Sequence, residues 1–87
     1  MPNLDLETAE IMFKLARKGN WGHKYDRTEH FKRFQNLGII IKDLSKKLWL
    51  LIYNKPMFTG ISLNTQFKKE IVEFIERQMP YMKGVIK

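Results

Sequence analysis

Residues 35–63 read QNLGIIIKDLSKKLWLLIYNKPMFTGISL, and the fold turns on how this stretch is read. Leu37, Ile40, Ile41, Leu44 and Leu48 recur at the i, i+3, i+4, i+7 spacing that gives a helix one buried face, which predicts a helix over 35–47. From residue 48 the composition shifts: 48–53 and 58–63 are rich in the branched and aromatic residues of strands. Asn54-Lys55-Pro56-Met57 between them reads as a turn, because Pro56 has no N–H to give to a ladder. A helix running straight into a hairpin, with Lys42, Lys46, Lys47 and Lys55 outside, is the arrangement from which function is argued.

Upstream, Asp5 is placed to cap a helix over 6–18, with Glu7 and Glu10 near its positive end and Lys14, Arg17 and Lys18 near its negative end. Gly19 suits its stop. Ala9, Met12, Phe13 and Ala16, widened by Ile11 and Leu15, predict a well-buried structural helix. The connection over 19–25, GNWGHKY, suits an irregular loop or one short strand. Trp21 and Tyr25 read either as core anchors, which so short a chain needs, or as platforms on which bases stack. Asp26, with Glu29 three residues on, resembles a capping box and predicts a short helix over 27–34. Phe31 and Phe34 then face inward, and Arg27, Lys32 and Arg33 face out. Only a brief turn around Gln35 and Asn36 is left before the next helix, so the two must cross steeply.

Downstream, Asn64 is placed to cap an amphipathic helix over 65–79. Phe67, Ile71, Phe74, Ile75 and Gln78 share its apolar face, Lys69, Glu73 and Arg77 form an i, i+4 ladder outside, and Pro80 ends it. The tail over 80–87 is apolar enough to pack back on the first helix or to meet a second copy. The expectation is a single domain, 1–87, with its core in 6–79. It is mainly α with a β-hairpin, an α+β chain in the order helix, helix, helix, strand, strand, helix.

Charge narrows the function. The net charge is +7, and residues 14–55 carry eleven Lys or Arg against Asp26, Glu29 and Asp43, whereas residues 1–13 carry three acids and no base. The excess covers the proposed helix and hairpin, so a polyanion such as nucleic acid is the natural partner, with a solubilising surface as the alternative. The absence of cysteine excludes disulfides and thiolate metal sites. No apolar run approaches the roughly 20 residues that span a bilayer. MPNLDLETAE is acidic, unlike a signal peptide, and the expected location is the cytoplasm. His23, Asp26, Glu29 and His30 lie close together but lack a metal-binding spacing such as H-E-x-x-H, so a capping Asp with two surface histidines is the reading and no metal is expected. With no cysteine nucleophile, no glycine-rich phosphate loop and no gathered Ser/His/Asp set, neither an enzyme nor a cofactor is expected.

The order of elements resembles the winged helix-turn-helix family, small DNA-binding domains common in prokaryotic transcription regulators. The resemblance is carried by Leu37, Ile41 and Leu44 at the spacing of a recognition helix, by Lys46-Lys47-Leu48-Trp49-Leu50 leading into the wing, and by Thr59-Gly60-Ile61-Ser62-Leu63 leaving it. It covers residues 6–79. It implies a DNA-binding transcription regulator, acting as a homodimer on double-stranded DNA, with the 35–47 helix in the major groove and the 48–63 hairpin as the wing. Gln35, Asn36, Ile39, Lys42, Lys46 and Lys47 would then face the groove, Lys55 the backbone or minor groove, and Arg27, Lys32 and Arg33 the flanking phosphates. The chain departs from the family in having Leu48 where many members have glycine, and Gly38 and Ile39 where polar readers are usual. Ile39 suits a thymine methyl or a protein partner, and Asp43 repels phosphate unless Lys46 or Lys47 offsets it. A protein-interaction module using Ile39, Trp49 and the apolar tail is therefore the rival reading, and RNA binding through Trp21 and Tyr25 a third.

Overall fold

The computed structural model describes residues 4–86. Helix α1 spans Leu4–Arg17, helix α2 Leu37–Lys46 and helix α3 Lys68–Gln78. Strands β1 (Asp26–Arg27), β2 (Leu50–Asn54) and β3 (Thr59–Leu63) form an antiparallel sheet in the order β1-β3-β2. The result is a small α+β domain. α1 packs on α3 and β3, and α2 packs on β2. Ile11, Met12 and Leu15 of α1, Phe31 of the turn before α2, Ile40 and Leu44 of α2, Ile61 and Leu63 of β3, and Ile71 and Ile75 of α3 close the core. No helix among the described residues is long and apolar enough to cross a membrane.

The three long helices and the hairpin lie where periodicity places them, with their ends adjusted. α1 starts at Leu4, so Asp5 sits inside the first turn rather than capping it; there it still faces the positive end of the dipole. The hairpin turn lies one residue later than expected, between Asn54 and Thr59: Lys55 N–H donates to the Phe58 carbonyl at 2.9 Å, with Pro56-Met57 at the tip. The Asn64 side chain accepts from Gln66 N–H at 3.1 Å, capping a 3-10 turn over Thr65–Phe67 that opens into α3. Past α3 the tail turns once more at Pro80–Met82, puts Met82 and Ile86 against the core, and is tied back by Gly84 N–H to Glu76 Oε2 at 2.9 Å.

The predicted helix over 27–34 is the main correction. Asp26 and Arg27 pair with Ile61 and Gly60 as β1, and only a 3-10 turn, Thr28–Phe31, follows. The cause is the use made of the Asp26 side chain. Its Oδ1 accepts the adjacent Arg27 N–H at 2.9 Å and the His30 Nδ1 at 2.6 Å, and its Oδ2 accepts Lys18 Nζ at 2.9 Å. A carboxylate so engaged satisfies no N–H one turn further on, and the sheet takes the backbone instead.

A second correction concerns Leu48. It does not continue the apolar stripe but ends α2 at φ +64°, 60 % exposed. Leu48 N–H donates to Ser45 O at 3.1 Å and Trp49 N–H to Leu44 O at 3.0 Å. α1 ends in the same pair of hydrogen bonds, Gly19 N–H to Ala16 O at 3.0 Å and Asn20 N–H to Leu15 O at 2.9 Å, with Gly19 at φ +75°. Both ends are Schellman turns, which need a left-handed residue just past the helix. Glycine adopts that conformation freely; a leucine pays about 1–2 kcal/mol for it.

Candidate nucleic-acid interface

α2 presents two unlike faces. Ile40 and Leu44 are buried and Leu37 and Ile41 are partly covered, while Ile39, Lys42 and Lys46 stand in solvent at the i, i+3, i+7 spacing of a single face. Ile39 is 62 % exposed. Lys42 and Lys46 have no ion pair, hydrogen bond or ring contact among the described residues. Asp43 on the flank of this surface is offset by Lys47, whose ammonium lies 3.4 Å from its carboxylate and 5.4 Å from the centre of the Trp49 ring. Gln35 is exposed just before the helix.

Asn36 has a structural partner. Its backbone N–H and its side-chain Nδ2 donate to the two carboxylate oxygens of Glu7, each at 3.0 Å. This clamp fastens α1 to the start of α2 and leaves the side-chain Oδ1 and one Nδ2 hydrogen of Asn36 without a partner among the described residues, its backbone carbonyl accepting Ile40 N–H. The bond spans 29 residues of chain, and no spacing rule in the sequence signals it.

The remaining predicted cations gather at the sheet and the turn beside it. Arg27 lies 4.4 Å from the centre of the Phe58 ring and 3.2 Å from Glu29, Lys55 lies 5.7 Å from the Tyr25 ring, and Arg33 lies 4.8 Å from the Phe34 ring. Lys32 is exposed without a partner among the described residues. Tyr25 itself stacks tilted on Tyr53 and Phe58, with centroids 5.1 and 5.9 Å away. The stack depends on Gly60: a Cβ there would meet Tyr25 Cδ1 at 2.5 Å. Tyr25 is thus both anchored and, at 36 % exposed, open on one side, so core and surface readings each describe part of it. Trp21 is half-buried on the core, bridged to Leu63, with Lys68 5.6 Å from its ring centre.

Lys18, Asp26 and His30 form a separate polar knot under this surface. Burial pushes the Asp26 carboxyl up, but hydrogen bonds from Lys18, His30 and the Arg27 N–H outweigh it and hold the group below the usual aspartate value. A carboxylate only accepts, so Nδ1 of His30 carries the proton. Asp26 and His30 are therefore joined by a hydrogen bond, with Lys18 as the ion-pair partner of Asp26, rather than forming a cap, and no group of three metal-binding side chains occurs among the described residues. The sequence shows the cations of this surface but not which of them are engaged. Comparisons with models of known protein families, with curated proteins and with solved structures found no match.

Proposed function

We propose that this chain is a winged helix-turn-helix domain that binds double-stranded DNA as a transcription regulator, with α2 in the major groove and the β2–β3 hairpin against the flanking backbone. The observation that carries the reading is the outward face of α2, where an exposed Ile39 is followed along the face by Lys42 and Lys46, which have no partner among the described residues. Free ammonium groups one helical turn apart are placed to neutralise phosphates and release their counterions, and Ile39 suits a thymine methyl. The order helix, short strand, turn, helix, hairpin, helix, with β1 beside β3, supports a winged arrangement. The 3-10 turn at Thr28–Phe31 then stands in place of the first helix of the helix-turn-helix. Lys32, Arg33 and Lys55 supply backbone contacts, Arg27 being already paired with Glu29, and Gln35 reaches toward base edges. A homodimer is part of the proposal: most of α1 is buried, and Tyr81 and Val85 are the exposed apolar residues of the tail available to a second copy.

Fluorescence anisotropy with random-sequence duplex at two salt concentrations tests the reading, with light scattering on the same sample. Binding that weakens steeply with salt supports it, and no binding at low salt removes it.

A protein-interaction role has one specific observation in its favour. Leu4, Ile39, Trp49 and Phe74 line a cleft of about 220 Å³ between α1, α2 and α3, at whose rim lie Asp5, Asp43 and Lys47. In that reading Ile39→Asp abolishes capture of a protein partner while duplex binding was never present.

A further inference from the structure

A second hollow lies where α1, the turn before α2 and the C-terminal turn meet. Its volume is about 340 Å³, and its floor is Phe13, Met79 and Met82. Lys14, Arg17 and Arg33 stand round it with Glu10 as the one acid. No residue of α2 lines it, so it is separate from Ile39, Lys42 and Lys46.

Two features of these cations bear on what the hollow can hold. First, none of the three is in an ion pair among the described residues, whereas Lys18, Arg27 and Lys47 each have a carboxylate partner. Second, two of them are held in place without being neutralised. Lys14 donates to the His30 carbonyl at 2.9 Å and lies 4.7 Å from the Phe31 ring, and Arg33 lies 4.8 Å from the Phe34 ring. Phe31 and Phe34 are themselves packed at 6.3 Å. Ring contacts fix a cation's position and leave its N–H donors free for an oxyanion. Convergent positive charges repel one another, and an anion shared between them relieves that repulsion. Below them Phe13 and Met79 are almost fully buried and offer apolar contact, with methionine adapting to the shape of what it meets. The volume falls at the small end of ligand sites.

We infer that this hollow binds a small amphiphilic anion, with one carboxylate or phosphate head held by Lys14, Arg17 and Arg33 and a short apolar body on Phe13, Met79 and Met82. The head-and-body requirement separates it from a phosphate contact of DNA, which needs no apolar floor. The inference does not depend on the DNA reading.

Sodium octanoate and octyl phosphate serve as probes, with acetate, inorganic phosphate and 1-octanol as the isolated head and body. Titration calorimetry gives affinities, and amide chemical shifts locate the site on the intact chain. Arg33 is assigned above to flanking phosphate, so Arg17→Gln carries the test; Arg17 is exposed with no side-chain partner among the described residues, and the variant is expected to keep its fold, as its melting temperature checks. At least one of the amphiphiles is expected to bind about tenfold tighter than its head or body alone, to shift amides around Lys14, Arg17, Arg33 and Met82, and to weaken several-fold in the variant. The inference is overturned by inorganic phosphate or acetate binding as well as the amphiphile, by shifts centred elsewhere, by an unchanged affinity in Arg17→Gln, or by no binding of either probe at about 1 mM.

Discussion

The outer face of α2 and the cluster of Lys18, Asp26, Arg27 and Glu29 use their positive charge in opposite ways. On α2, Lys42 and Lys46 project into solvent with no partner among the described residues. In the cluster Lys18 binds Asp26, and Arg27 lies between Glu29 and the Phe58 ring. A cation already hydrogen-bonded to a carboxylate releases little by meeting a phosphate, because one ion pair replaces another. A free lysine releases a condensed counterion from DNA at no such cost. Net charge counts both alike, so +7 overstates what a polyanion can use and says nothing of where it would bind.

The sharpest way to break that contrast is to remove cations from each region in turn. Lys42→Ala with Lys46→Ala is expected to lower duplex affinity by ten- to a hundredfold at low salt, with the melting temperature unchanged. Lys18→Ala is expected to leave that affinity within about twofold and instead to lower stability, because Asp26 keeps its burial and loses a donor. Equal losses of affinity from both would erase the distinction. Anisotropy and thermal unfolding measured on the same samples decide it.

Gly60→Ala probes the seat of the engaged cations. The new methyl collides with the Tyr25 ring, which is flanked by Tyr53, Phe58 and Lys55, and the variant is expected to lose about 1–3 kcal/mol in urea unfolding. Wild-type stability would mean that Tyr25 is free to move and anchors nothing.

Asp26→Asn is expected to cost about 1–2 kcal/mol near neutral pH, by weakening the bonds from Lys18 and His30. The sign of its pH dependence follows from the lowered carboxyl. The charged form is favoured in the folded state, so its stabilisation is complete above the unfolded value of about 3.9 and is lost as pH falls through the lower folded value. Wild type and variant should converge as acid is added below about pH 4. Parallel curves would show that the Asp26 charge contributes nothing.

The smallest effect expected is a gain. Leu48→Gly removes a strained left-handed leucine whose side chain lies largely in solvent, and should raise stability by up to about 1 kcal/mol, less the extra freedom glycine gives the unfolded chain. A fall in duplex affinity alongside the gain would place the Leu48 side chain at the DNA.

The same contrast separates what the sequence reveals from what it does not. α1, α2, the hairpin and α3 announce themselves because each repeats a local period over many residues. β1 does not, since Asp26-Arg27 is two charged residues whose strand character comes wholly from Gly60 and Ile61 on another element. Leu48 extends the apolar spacing by identity, and only the direction of the chain into β2 turns it outward. At the interface, which cations exist is legible, but which are free is set by contacts such as Lys18 to Asp26 and Glu7 to Asn36, made between separate elements. Asp43 to Lys47 is the exception, because an i, i+4 pair on a helix can be read directly.

The most direct test of the central claim is the slope of log affinity against log salt for random duplex, measured for the wild type and for the Lys42→Ala, Lys46→Ala double variant. If these two lysines each neutralise a phosphate, the slope becomes shallower by about two in the variant. A variant that folds normally and keeps the wild-type slope would take α2 off the DNA.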